Sequence, residues 1–245
     1  MTLSAGGQTG TVRPEPVEGS LNGSLALFDL DNTLLTGDTD VLWCEFLIQL
    51  GRLDAATFAA ANADMEQRYQ SGRATPQEFC EFYASLLKGI SLRDGEVLRQ
   101  HFFEEWIRRR IPDDARALVE KHRLRGDTLI LTTATNRFIT ELTARHLHIE
   151  HLIAIETETV DDTFTGNTIG VLNMREGKVT RLAQWLEARG WAASLIGEAT
   201  FYSDSINDMS LLSAVANPVA VDPDLKLAEE VKARGWPTLV FARNI

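Results

Sequence analysis

Apolar positions along the chain fall into two textures. "LALFDL", residues 25–30, is a short and nearly unbroken apolar run, the pattern of a strand covered on both faces. Beyond it, residues 38 to about 110 read as helix throughout. "VLWCEFLIQLG" stops on a glycine, and "LDAATFAAANADMEQRYQSG" is Ala-rich with a similar stop. "TPQEFCEFYASLLKG" opens with Thr75 as a cap and Pro76 at the first helical position, and "SLRDGEVLRQHFFEEWIRRRI" completes a group of about four helices. From Pro112 the texture alternates. "PDDARALVEKHRLRG", "NRFITELTARHLHI", "GKVTRLAQWLEARG" and "INDMSLLSAV" read as helices. Between them "DTLILTTAT", "HLIAIETETV", "EATFYSD" and "PVAVDP" read as strands, with "DDTFTGNTIG" as a hairpin.

Strand and helix in alternation predict parallel βαβ units, hence an α/β fold with a doubly wound parallel sheet. Residues 24–37 and 111–245 form its core. The helices of residues 38–110, lying between the first strand and the next βα unit, form an inserted α-helical cap. Residues 4–23, rich in Gly, Pro, Ser and Thr, make 1–23 a flexible N-terminal extension.

Composition narrows the function classes. The chain has 245 residues and a formal net charge of −11, which argues against a surface that tracks nucleic-acid phosphates. A small anionic substrate stays open, provided a metal or a lysine inverts the field locally. No apolar run is long enough to span a bilayer, and the N-terminus lacks a basic-then-apolar signal. The two cysteines, Cys44 and Cys80, are not spaced as metal ligands and fit buried thiols in a reducing cytoplasm. The five histidines lie away from every motif below.

In such a sheet, ligands sit beyond the carboxyl ends of the strands. "DLDNT" (29–33), "TTATN" (132–136), "GKV" (177–179) and "SDSINDM" (203–209) should converge there. Asp29 and Asp31 would repel each other unless a cation or a reaction explains them. Phosphoryl transfer to a carboxylate does so. Mg2+ takes hard oxygen ligands and offsets the repulsion. Asp29 serves as nucleophile, Asp31 as acid and then base. A threonine hydroxyl, Thr133 or by one register Thr132, and the Lys178 ammonium hold the equatorial oxygens.

At these residues the chain resembles the haloacid dehalogenase superfamily, in the branch of phosphoserine and histidinol-phosphate phosphatases. "FDLDNTL", "LILTTAT", "REGKV" and "YSDSINDMSLL" match its four motifs in order, and the likeness runs from Ser24 onward. The resemblance implies Mg2+ held by Asp29, the main-chain carbonyl of Asp31, and Asp204. Asp208 either completes that set or steadies the lysine. Asn207, in the fourth motif, is assigned to substrate binding.

The resemblance also bears on the substrate. Asp38, nine positions beyond Asp29, occupies the slot where phosphoserine phosphatases bind the substrate amine, although it equally suits a helix cap. Where those enzymes carry a cap arginine for the carboxylate, this chain has Glu81, with Arg68 or Arg73 as substitutes. Asp38, Glu81 and an aromatic such as Trp43 or Tyr83 are therefore expected to form a cation-accepting pocket, favouring histidinol phosphate over phosphoserine. A phosphotransferase or mutase using the same aspartyl-phosphate, and a silent phosphate-binding module, are the alternatives.

Overall fold

The computed structural model describes residues 23–243, so the extension expected over 1–23 lies, Gly23 apart, outside the described residues. The first strand, β1 (Leu25–Phe28), is followed by helices α1 (Thr39–Gln49), α2 (Ala55–Gln70), α3 (Pro76–Ala84) and α4 (Leu92–Phe102). Then come α5 (Asp113–Leu124), β2 (Thr128–Asn136), α6 (Arg137–His146) and the hairpin β3 (His151–Val160) and β4 (Thr163–Ile169). The chain closes with α7 (Glu176–Glu187), β5 (Thr200–Ser203), α8 (Met209–Ala214), β6 (Asn217–Val221), α9 (Leu225–Arg234) and β7 (Thr238–Leu239).

The strands form one seven-stranded sheet in the order β4-β3-β2-β1-β5-β6-β7, parallel except for β4 against β3. The chain leaves β1 toward β2 and later returns to β5 on its other side, so the carboxyl end of β1 is the switch point where a crevice opens. Alternating side chains of β1 feed two apolar layers. Ala26 and Phe28 join Leu131, Phe138 and the aromatics of α1 and α4, while Leu25 and Leu27 join Ile130, Phe201, Leu182 and Leu227. The first layer does not stop at residue 38: Trp43, Phe46 and Phe102 share it with the sheet.

Local chemistry sets the helix starts. Asp38, Asp54, Thr75 and Ser91 each accept a hydrogen bond from a first-turn N–H of α1, α2, α3 and α4, and Thr75 with Glu78 closes a capping box behind Pro76. In the β3–β4 turn, Asp161 and Asp162 both adopt positive φ (47° and 57°), the geometry of a two-residue hairpin turn. Gln77 of α3 donates to Thr168 Oγ1 on β4 at 2.7 Å, tying the hairpin to the helical block. Two expectations change. The helix read through Ile111 ends at Phe102 and passes into looser turns as far as Arg110. The strand "PVAVDP" is not the last element, because α9 and the two-residue β7 follow it.

Candidate active site

Asp29 leaves β1 with its N–H on the Tyr202 carbonyl of β5 (2.9 Å), which fixes the strand end. The next residues form a tight loop, with Asp31 extended and Asn32 at φ 56°. On the far side, Lys178 enters from the first turn of α7. That helix has no side-chain cap; Arg175 precedes it at φ 50°, a conformation that is strained for a long side chain. Asn173, fully buried, anchors this turn: its Nδ2, with two hydrogens, lies 2.9 Å from the carbonyl oxygens of Thr133 and Ile153 and 3.0 Å from Thr132 Oγ1. A Cβ on Gly177 would lie 1.9 Å from the Leu172 carbonyl oxygen, so glycine is required for the chain to pass. Gly177→Ala is therefore expected to destabilise the fold by about 3 kcal/mol, the upper range for overpacking, read as a lower midpoint in urea.

Lys178 Nζ sits between two carboxylates, 2.6 Å from Asp29 Oδ1 and 2.7 Å from Asp208 Oδ2. Burial alone would lower its pKa, but Asp208 and Asp29 outweigh that and hold it above the ordinary lysine value. Asp208 Oδ2 also accepts from Ser203 Oγ at 2.7 Å, which makes Asp208 the anchor of the lysine.

Three carboxylates of this crevice, Asp29, Asp31 and Asp204, are held above their usual range. Burial pushes Asp29 to about 6, with Lys178 pulling down and Asp208 pushing up. Burial, then Asp38 and Asp29, raise Asp31 to about 7. Burial and Asp29 raise Asp204 to about 8. Thr33 Oγ1 accepts from the Asp204 N–H at 2.9 Å and lies 3.3 Å from Asp29 Oδ2 and 3.1 Å from Asp204 Oδ1. A hydroxyl has one proton, so it satisfies only one of those two acceptors. Excess anionic oxygen at one spot is what a hard divalent cation relieves. Among the described residues no three His, Cys, Asp or Glu side chains gather as a metal cage. The side chains that could hold such an ion are Asp29 and Asp204, with a main-chain carbonyl beside them.

Asp31 is locked from two sides. Its Oδ1 accepts from Thr39 N (2.7 Å) and Thr39 Oγ1 at the start of α1, and its Oδ2 from Thr135 Oγ1 (2.7 Å) and more distantly Thr133 Oγ1 (3.5 Å). Thr133 is fully buried, and Thr132 Oγ1 is taken by Asn173. The hydroxyl that reaches the cavity wall is that of Thr135. Here β2 bulges: from Thr132 to Asn136 it spends four residues against two on β3, from Ile153 to Ile155.

These groups line the floor of a cavity of about 250 Å³. Its upper wall carries Asp38 and Asp40, the rings of Tyr69, Phe79 and Tyr83, and Arg175. Asp38 caps Val41 N at 3.0 Å and also lines the cavity. Asn207 lines it too. Trp43 does not: it is 2% exposed, packed edge-on against Phe102 and Phe138, because it falls on the face of α1 turned to the sheet. Glu81 also lies off the cavity and accepts from Gln77 Nε2 at 2.6 Å. Arg68 pairs with Glu78 at 3.0 Å and Arg73 donates to Ser71, so neither arginine reaches in. Asp40, Thr135 and Arg175 are the lining residues that sequence reasoning passed over. Arg175 was hidden by its neighbour Lys178. The Arg175 guanidinium stacks 4.8 Å from the Tyr69 ring centre.

A family model for haloacid dehalogenase-like hydrolases matches residues 26–213. The chain is 40% identical to a histidinol-phosphatase of Neisseria meningitidis, over 89% of this chain and 99% of that one. It is 30% identical to a phosphoserine phosphatase of Mycobacterium tuberculosis, over 86% of this chain and 68% of that one. Among solved structures, a protein of unknown function from Bordetella pertussis superposes with a TM-score of 0.83 at 40% identity, covering 88% of this chain and 97% of that one. A substrate-bound phosphoserine phosphatase shares the fold at a TM-score of 0.63 and 16% identity, covering 90% and 94%.

Proposed function

The chain belongs to the haloacid dehalogenase-like hydrolases, and from that premise we propose that it is an Mg2+-dependent phosphatase working through an aspartyl-phosphate. Its substrate is a small amino-bearing phosphate monoester, histidinol phosphate ahead of phosphoserine. The observation that carries this is the crevice itself: Lys178 bridging Asp29 and Asp208, with Asp31 and Asp204 at the same cavity floor.

A divalent cation held by Asp29, Asp204 and the Asp31 carbonyl would neutralise the phosphate dianion and the crowded carboxylates. An Asp29 oxygen attacks phosphorus, forming the phosphorus–carboxylate bond as the ester bond breaks. Asp31 gives its proton to the leaving alkoxide; its raised pKa, about 7, keeps that proton available near neutrality. Water then attacks the same phosphorus, Asp31 takes the proton back, and inorganic phosphate leaves Asp29. Lys178 and the Thr135 hydroxyl steady the equatorial oxygens, with Thr133 Oγ1 behind them at 3.5 Å from Asp31 Oδ2. Because Thr39 opens α1 and grips Asp31, the seating of the helical block and the aim of the acid are one event. We take that block, residues 38–110, to be the cap that excludes water.

The leaving group faces the upper wall. Asp40 is pushed well above the ordinary carboxylate range by burial, Asp38 and Asp31, a surrounding that a substrate ammonium relieves. Tyr69 and Phe79, stacked with ring centres 4.4 Å apart, and Tyr83, edge-on to Phe79, give the upper wall aromatic edges and faces suited to an imidazole. Both cysteines are buried and free, in keeping with a reducing cytoplasm, and no helix among the described residues is long and apolar enough to cross a membrane.

Phosphate release with Mg2+ and no acceptor, measured on histidinol phosphate, phosphoserine and p-nitrophenyl phosphate, tests the proposal. Histidinol phosphate is expected to give the highest kcat/KM; at least tenfold preference for phosphoserine would overturn the substrate assignment. Turnover that appears only with a second hydroxyl acceptor would make the protein a phosphotransferase. Asp40→Asn is expected to lower kcat/KM for histidinol phosphate relative to p-nitrophenyl phosphate about tenfold, the cost of one charge-assisted hydrogen bond. An unchanged ratio removes Asp40 from the amine site.

A further inference from the structure

We propose that Arg243, near the end of the chain, is a positioning residue for the catalytic loop. Its guanidinium donates to the carbonyl oxygens of Asn32, of Thr33 (3.1 Å) and of Leu35 (2.8 Å), and reaches Thr36 Oγ1 at 3.4 Å. Its Nε is held by Asp222 Oδ2 at 2.7 Å. One side chain thus collects three main-chain carbonyls of the stretch that links Asp31 to the helical block, from 208 to 211 positions away in sequence.

The loop needs such a partner. The N–H groups of Asn32, Leu35 and Thr36 are met by Gly37, Leu30 and Arg110 carbonyls, and the carbonyls of Asn32, Thr33 and Leu35 are met by the Arg243 guanidinium. Buried carbonyls without partners are costly, and a planar fork of N–H donors serves several at once. The stretch held this way carries Thr33, whose hydroxyl sits between Asp29 and Asp204. It also carries Thr36, whose N–H joins Arg110 at the return of the helical block (2.8 Å). Asp222, which orients the guanidinium, stands at φ 42° just after β6 and shares its other contacts with the terminal segment, taking the Phe241 N–H. The terminal segment is fixed independently by Ala242 N donating to Asp114 Oδ2 at 2.7 Å. Arg243 therefore hangs from a fixed backbone and shapes the loop rather than following it.

The kinetic part of this proposal rests on the phosphatase reading; the structural part does not. Arg243→Lys keeps the charge and the Asp222 pair but lacks the fork. Amide hydrogen exchange over residues 30–37 is expected to quicken about tenfold in Arg243→Ala and severalfold in Arg243→Lys. Phosphate release should show kcat lowered about tenfold and severalfold respectively, with KM within threefold, and guanidinium chloride at low millimolar concentration should restore kcat in the alanine variant. If the alanine variant does not fold, the lysine variant decides on the same readouts. Exchange and kcat within twofold of the parent would overturn the proposal. So would faster exchange with unchanged kcat, which marks a structural staple only. Faster exchange in a protein that hydrolyses no phosphate ester would instead sustain the clamp and sink the phosphatase reading.

Discussion

Replacing Asp29 by asparagine is expected to reduce phosphate release on the order of 10⁴-fold or more, the scale at which loss of a covalent nucleophile is felt, while the fold keeps or gains stability. The amide has nearly the carboxylate's shape but cannot form the phosphoryl bond. Stability follows from the sign of the pKa shift. Asp29 has a folded pKa of about 6, above its unfolded value, so the folded chain binds more protons than the unfolded one across the interval between them. Its ionised form therefore costs stability as pH rises from about 4 to above 6, and asparagine removes that cost. Lys178 keeps Asp208 as its partner at 2.7 Å, so no buried cation is stranded. Thermal melts without divalent cation should show a smaller loss between pH 5 and pH 8 in the variant than in the parent. Turnover above about one per cent of the parent would deny Asp29 its role.

Such a trade, stability surrendered for a crowded anionic floor, is legible in the sequence only where the groups are close along the chain. Asp29 and Asp31 announced themselves because a run of buried strand ended on two acids, and the strand end is where an α/β sheet presents ligands. Lys178 was found by its order among the other motifs, and the structure brings it to Asp29 across 149 positions of sequence. The helices of residues 38–110 were legible because each start carries its cap in the sequence: Asp38, Asp54, Thr75 and Ser91. What stayed hidden depends on parity and rotation. The sequence left the hydroxyl open between Thr133 and Thr132, and the structure adds Thr135 to the cavity wall, where β2 bulges. Trp43 and Asp40 lie three residues apart on one helix, and only the packing of α1 shows that the first faces the sheet and the second the cavity. β7, two residues long, has no periodicity to read, and Arg243 acts through contacts that no local pattern encodes.

Lys178→Met should be the more damaging change for the fold. The methionine side chain fills a similar volume, so the effect isolates the charge. Lys178 is 2% exposed and neutralises two carboxylates, and breaking a buried pair costs about 3–5 kcal/mol because the partners stay behind unpaired. Activity should fall about 10³-fold, as when one preorganised donor to the developing charge is lost. The two effects are separable by pH. Without the lysine, Asp29 loses the group that lowered it, so its folded pKa rises further above the unfolded one. Stability then declines more steeply as pH rises, and acidification from pH 8 toward pH 5 should recover much of the loss in urea midpoints. Activity should not return with it, because the donor is absent at every pH. Adding Asp29→Asn to Lys178→Met removes one stranded charge and should restore part of the lost stability, so that the double variant is more stable than Lys178→Met alone at pH 8. Strictly additive single and double variants, with no dependence on pH, would mean that the lysine and the nucleophile are not coupled, and the electrostatic account of this crevice would fail with them.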